Sequence, residues 1–240
     1  MNKESMYKRV VLKLSGEALA GALEYGIDFA VLHYLAEEIL PVVKLEVELG
    51  IVIGGGNFFR GANAYDDSLG RVTGDHMGMI ATIINALAMR DAFEQHHMKA
   101  QVMSSLPIRS IAEEYDYRKA LCYLQQKQVV IFAGGSGNPL VTTDFALGLR
   151  GIELNADLLL KATNVDGIYT ADPRKDPNAK HYKHLTYNEA VANELAVMDL
   201  AAFCLCRDHN MRLRVFNIRK HGTLLNIIMG KEEGTLVENV

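Results

Sequence analysis

Cysteine is scarce in this chain of 240 residues, which has only Cys122, Cys204 and Cys206. An odd, sparse count builds no disulfide framework and suits a reducing, cytoplasmic setting. Cys204 and Cys206 lack a second pair of soft ligands nearby, so small buried side chains are a simpler reading than a zinc site. Proline numbers five, too few for a stiff connector between domains. A basic excess is also missing: 25 Lys plus Arg against 29 Asp plus Glu give a formal net charge of −4. Nothing in that balance neutralises a phosphate backbone, so nucleic acid is excluded as the main partner. No apolar run approaches the ~20 residues that span a bilayer. The stretch from Met1 to Lys8 is polar and contains no signal-peptide core. Neither a membrane partner nor export is expected.

Hydrophobic residues make up 49% of the chain, which excludes disorder and supplies a sizeable core. With no repeat, low-complexity tract or linker, residues 1–240 read as one domain, with two lobes at most. Short β-rich runs occur at Val10–Leu12, Ile51–Ile53, Ala100–Met103, Val129–Phe132, Asp157–Leu160 and Leu213–Phe216. Several are continuously apolar, as strands buried on both faces must be. Helical periodicity covers Phe29–Leu49, with a kink or break expected at Pro41. It recurs over Asp75–His97, Ile111–Gln125 and Tyr187–Asn210. Such alternation predicts an α/β fold, helices covering both faces of a parallel sheet.

Three of the strands run into glycine-rich turns: Lys13-Leu14-Ser15-Gly16, Gly54-Gly55-Gly56-Asn57 with Arg60 beyond, and Gly134-Gly135-Ser136-Gly137. Glycine at a strand's carboxyl end lets backbone N–H groups approach phosphate oxygens, and a following helix adds its positive end. One such turn alone is ordinary turn chemistry. Three, two of them with a basic residue close by, favour polyphosphate binding. The chain has no Gly-x-x-x-x-Gly-Lys-Ser/Thr P-loop and no dinucleotide fingerprint after its first strand. The His-Arg-Asp and Asp-Phe-Gly signatures of protein kinases are missing too. Thr142 and Thr143 can cap a following helix, or, with Asn138 and Asp144, read the polar edge of a small ligand. Lys161 ends the strand from Asp157 and is a second candidate phosphate cation. Beyond it, Tyr169 offers a flat ring and Asp172 a carboxylate for a ribose.

These segments together resemble the amino-acid-kinase superfamily and, within it, the bacterial uridylate kinase family. The resemblance is carried by Lys-Leu-Ser-Gly-Glu at Lys13 to Glu17, Gly-Gly-Gly-Asn at Gly54 to Asn57 and Gly-Asp-His-Met-Gly-Met at Gly74 to Met79. Gly-Asn-Pro with Thr-Thr-Asp between Gly137 and Asp144, Lys-Ala-Thr-x-Val-Asp-Gly at Lys161 to Gly167, and Met-Asp-Leu-Ala-Ala at Met198 to Ala202 complete it. They follow the family's order and cover nearly the whole chain. The resemblance implies a three-layer αβα sandwich around a mainly parallel sheet. It implies transfer of the γ-phosphoryl group of ATP to UMP in pyrimidine biosynthesis. Magnesium would arrive on ATP, with no metal ligands assigned to the protein. The N-terminal part would hold UMP and the C-terminal part ATP, in a homohexamer.

Carried over residue by residue, Lys13, Leu14, Ser15, Gly16, Gly56 and Arg60 match positions near the ATP phosphates. Thr163, Asn164, Tyr169 and Asp172 match the adenosine side. Gly55, Asp75, Ser136, Gly137, Asn138, Pro139, Leu140, Val141, Thr142 and Thr143 match the UMP side. Lys13, Arg60 and Lys161 are the implied catalytic cations, with Asp144 and Asp199 as carboxylates orienting Lys13. Ser136 stands where Thr is more usual, and Leu140-Val141 replaces a bulkier aromatic pair. UTP inhibition is implied, since it needs only the UMP pocket. GTP activation is doubtful: Arg90 retains a basic position of the effector site, but Glu94, Gln101 and Gln128 stand where basic or imidazole side chains belong. Two rivals share the fold: a sister kinase acting on a carboxylate or carbamate, and a non-catalytic nucleotide sensor. The first calls for an amino-acid-binding loop in place of Gly74–Met79 and Gly137–Asp144, and the second for loss of Lys13 or the glycines.

Overall fold

The computed structural model describes residues 5–59, 69–193, 195 and 197–239. In chain order the elements are β1 (Arg9–Leu14), α1 (Gly16–Ala20), α2 (Phe29–Lys44), β2 (Glu48–Ile53), α3 (Arg71–Gln95), β3 (Ala100–Ser104), β4 (Glu113–Glu114), α4 (Tyr117–Gln125), β5 (Val129–Ala133) and α5 (Thr143–Glu153). There follow β6 (Leu158–Thr163), β7 (Ile168–Tyr169), β8 (His181–Tyr182), β9 (His184–Thr186), α6 (Tyr187–Ala192), α7 (Leu200–Asp208), β10 (Leu213–Asn217), α8 (Thr223–Ile228) and β11 (Thr235–Glu238). Nine strands form one sheet in the order β4-β3-β5-β2-β1-β6-β10-β11-β9. Every neighbouring pair is parallel except β10 with β11. Strands β7 and β8 make a separate antiparallel ribbon.

Strand alternation sorts the core into two layers. Val10, Leu12 and Leu14 of β1 pack with Ile51 and Ile53 against α1, α2, α3 and α8. Val11 and Val52 face the other way, against α4, α5, α6 and α7. The expected three-layer arrangement is therefore present. The connections after β1 and β6 leave for opposite sides of the sheet, so these adjacent strands flank a topological switch point, where open α/β sheets bind ligands.

Several expected boundaries are corrected. The helix expected to reach Leu49 stops at Lys44, because Glu46 takes a left-handed φ of 60° and the apolar period then shortens to two at Val47 and Leu49. It runs through Pro41 without a break. Fully buried Leu35, Ile39 and Val42 offset the one hydrogen bond that proline removes. The stretch Ile111–Gln125 divides, since Glu113–Glu114 pairs with Met103–Ser104 and Asp116 caps a later start by accepting from the Arg118 and Lys119 amides. Tyr187–Asn210 is two helices, each opened by its own cap, Thr186 and Asp199.

Candidate active site

Lys13 of β1 lies opposite Lys161 of β6 in register. Alternation puts Leu12, Leu14, Leu160 and Ala162 on the α2 face, so both lysines project toward α5. Their side chains are only 11% exposed. Two neighbouring ammoniums on one sheet face repel, and Asp144 in the first turn of α5 relieves this. Its Oδ1 lies 3.3 Å from Lys13 Nζ and its Oδ2 accepts from Lys161 Nζ at 2.5 Å. Lys161 Nζ also donates to the Val197 carbonyl. Burial works against the Asp144 charge, but Lys13 and Lys161 outweigh it and hold the carboxyl below its usual range. Burial pulls the Lys161 ammonium below the ordinary lysine value, Asp144 opposing and Lys13 reinforcing that shift. Asp144 is the carboxylate in contact with both ammoniums, and Asp199 also favours the Lys161 charge.

The glycine turns are held beside this centre by close backbone packing. A Cβ on Gly16 would sit 2.5 Å from the Gly56 amide nitrogen and 2.8 Å from the Gly54 carbonyl, so only glycine lets the two loops meet. Buried Asn57 and Asn85 exchange amide hydrogen bonds of 2.9 and 2.7 Å, and Asn85 also donates to the Gly54 carbonyl at 2.7 Å. This clasp fixes the loop after β2 to α3. Thr82 of α3 does the same for the loop after β5, accepting from the Gly134 amide at 2.7 Å. Behind that loop, Arg150 donates to Ser105 Oγ at 2.8 Å and lies 3.6 Å over the Tyr115 ring.

Two cavities flank the lysines. The smaller, about 290 Å³, is lined by Gly55, Gly56, Phe59, Gly74, Asp75, Gly78, Met79, Thr82, Gly135, Val141, Thr142 and Thr143. The larger, about 580 Å³, includes Lys161, Thr163, Val165, Tyr169, Asp172, Asn193, Leu195 and Val197. A cation pair bridged by one carboxylate, with glycine turns and two cavities nearby, can neutralise a phosphoryl group passing between two bound molecules.

Residues 8–217 match the amino acid kinase family. The chain belongs to that family. Among curated proteins it is 58% identical to the uridylate kinase of Coxiella burnetii over 235 residues, 98% of this chain and 97% of that one. It is 57% identical to the uridylate kinase of Pseudomonas savastanoi pv. phaseolicola, covering 98% and 95%. Among solved structures, the UMP kinase of Bacillus anthracis superposes with a TM-score of 0.94 at 42% identity, covering 97% of this chain and 96% of that chain.

Of the expected residues, Gly55, Gly56, Asp75, Val141, Thr142 and Thr143 line the smaller cavity and Lys161, Thr163, Tyr169 and Asp172 the larger. Leu14 is a core residue whose carbonyl accepts from the Gly54 amide at 2.9 Å, and Ser15 is the N-cap residue of α1. Gly56, expected beside the ATP phosphates, lines the smaller cavity with Gly55. Asp75 accepts from Arg71 and from the Leu140 amide at 2.8 Å. That bond holds Leu140 at a φ of +70°, a left-handed conformation costing about 1–2 kcal/mol outside glycine. Ser136, Gly137, Asn138 and Pro139 form the turn leading to it, with the Asn138 amide on Ser136 Oγ. Thr142 caps α5 by accepting from the Asp144 and Phe145 amides, and its hydroxyl donates to Asp199. Asp199 caps α7 through the Ala202 amide at 2.8 Å. It thus acts on Thr142 and α7, whereas Asp144 holds Lys13. Asn164 lines a different cavity, of about 460 Å³, with Asp28, Tyr34 and Arg219. Asp172 is gripped by the Arg174 guanidinium at 3.0 and 3.1 Å. Arg60 lies outside the described residues. Sequence reasoning missed Thr82, Asn85 and Arg150. The available signal was a polar residue on the apolar stripe of α3, at Thr82 and Asn85.

Proposed function

We propose that the protein is a uridylate kinase, transferring the γ-phosphoryl group of ATP to the phosphate of UMP. The observation that carries this reading is the Lys13–Asp144–Lys161 centre between two cavities. UMP occupies the smaller cavity, the N-terminal side, under the loop Ser136–Thr143. ATP occupies the larger, the C-terminal side, with its phosphates toward Lys13, Lys161 and the amides of Gly16 and Gly56; Arg60 adds a further cation. A UMP phosphate oxygen forms the new bond to the γ-phosphorus while the bond to the β,γ-bridging oxygen breaks and ADP leaves. The acceptor phosphate is already an anion near neutral pH, so alignment and charge neutralisation suffice and no general base is needed. Among the described residues no three His, Cys, Asp or Glu side chains converge as for a metal ion. Asp144 is already committed to two lysines. Magnesium is proposed to arrive bound to ATP, where it would spread the charge of the phosphates.

A coupled ADP-release assay across UMP, CMP, dUMP, glutamate and carbamate tests the assignment. Activity on UMP is expected, with strong preference over CMP, because a site built to bond one polar base edge leaves buried groups unsatisfied with the other. Equal catalytic efficiency on the two overturns the base assignment, and activity on carbamate or glutamate alone overturns the reaction.

Oligomerisation and regulation belong to the same reading. Val72, Met77, Ile80 and Ile84 leave an apolar stripe of α3 between 43% and 50% exposed, which supports a subunit interface. A homohexamer is proposed. A monomer mass at micromolar concentration counts against it. UTP inhibits by occupying the UMP cavity. Weak or absent GTP activation is expected. Arg90, the one basic group retained at the effector position, already faces Glu94 at 4.0 Å, and Gln101 is engaged with Glu113. A several-fold rise in velocity at low UMP with saturating GTP, lost in Arg90→Ala, contradicts this. No helix among the described residues is long and apolar enough to cross a membrane. The sparse cysteines support a cytoplasmic location.

A further inference from the structure

We propose that His181 is a positioning residue for the donor nucleotide, fixing the Tyr169 ring that walls the larger cavity. The inference rests on the assignment of ATP to that cavity. Tyr169 lines the larger cavity and also a second one, of about 370 Å³, which His181, Lys183, Lys220 and Glu233 line too. Tyr169 thus borders both cavities, and a ring at the end of a two-residue strand needs support from a neighbour. His181 stands directly opposite Tyr169 in the β7–β8 ladder. Their ring centroids are 5.0 Å apart at an interplanar angle of 47°, a tilted packing that resists rotation of the tyrosine.

His181 is in turn tied to the main sheet. Thr235, fully buried at the start of β11, gives its only hydroxyl hydrogen to the Tyr182 carbonyl. The same oxygen accepts from the Ile168 amide at 2.8 Å and lies 3.2 Å from His181 Nε2. With its hydrogen already committed, the Thr235 hydroxyl can only accept from the imidazole, so Nε2 carries the proton. Desolvation of the ring lowers its pKa below the ordinary histidine value, Asp166 opposing and Lys183 and Lys220 reinforcing that shift. The residue before β7 is Gly167, and a Cβ there would strike both His181 Nε2 and Thr235 Oγ1. The turn, the imidazole, the threonine and the tyrosine ring therefore form one packed unit. None of these residues is bonded to Lys13, Asp144 or Lys161, so the unit's action is expected on ATP affinity alone.

The test combines direct ATP binding with steady-state kinetics for the full-length protein and three changes: His181→Ala, His181→Phe and Tyr169→Ala. His181→Ala is expected to raise both the Kd and the KM for ATP about tenfold, while kcat at saturating ATP and KM for UMP stay within about twofold. His181→Phe keeps a ring against Tyr169 and should recover most of the affinity. In a Tyr169→Ala background the His181→Ala change should add nothing, because the wall it supports is gone. An ATP affinity unchanged in His181→Ala overturns the proposal, as does an equal penalty in both backgrounds. Loss of kcat and UMP affinity in step with ATP affinity would mean general unfolding and also overturns it. Wild-type protein that binds no ATP overturns the donor-site assignment itself, and the inference with it.

Discussion

Lys13→Ala is expected to lower turnover by roughly 10²–10³-fold, about 2.7–4 kcal/mol of transition-state stabilisation, while the fold survives. The reasoning is electrostatic. Lys13 is the next-to-last residue of β1, 3.3 Å from Asp144, and is proposed to face the charge of the transferring phosphoryl group. Removing it leaves Asp144 paired with Lys161 at 2.5 Å, so no buried charge is orphaned and the core pays little. Glycine turns and both cavities stay in place, and KM for each nucleotide should move less than kcat. Initial-rate kinetics together with a thermal melt check this. A variant that melts normally and turns over at near wild-type rate removes Lys13 from the mechanism.

Asp144→Ala is expected to act on stability as well as on catalysis, and more severely. It leaves the Lys13 and Lys161 ammoniums, each 11% exposed, side by side without a carboxylate in contact, Asp199 acting on Lys161 only through its field. Breaking a buried pair in this way typically costs about 3–5 kcal/mol, a large share of a marginal total. The pH dependence follows from the direction of the Asp144 shift. Its carboxyl titrates below the usual range in the folded protein, so the stabilisation is fully present above the unfolded-state value of about 3.9. It is lost as pH falls through the lower, folded-state value. Urea denaturation between neutral and acid pH should therefore show a gap between wild type and Asp144→Asn that narrows below about pH 4. A gap independent of pH would show that Asp144 acts through packing and not through its charge.

Part of the candidate site is legible in the sequence, because phosphate chemistry favours glycine and lysine at or near the carboxyl ends of strands. Glycine at 16, 54 and 56 and lysine at 13 and 161 follow directly from that preference. The helix boundaries were less legible. The change from a 3.6 to a 2.0 period at Val47 and Leu49 is too short to see beside the strong pattern of α2. Likewise, nothing local marks the two-residue strand β4 until Met103 and Ser104 lie beside it.

By itself the sequence determined the α/β class, the glycine turns and the two strand lysines, since each depends on residue type and near-neighbour spacing. Lys161, expected to end its strand, lies inside β6, which runs on to Thr163. The tertiary structure alone decided what those cations meet. Lys13 and Lys161 stand 148 positions apart, and only the parallel register of β1 with β6 sets them side by side. Asp144 reaches both because Thr142 starts α5 there and the helix packs on that face of the sheet. The Asn57–Asn85 clasp and the His181 support of Tyr169 arise in the same way. Such contacts depend on the closure of long loops and the shared burial of polar groups, and no local spacing records either.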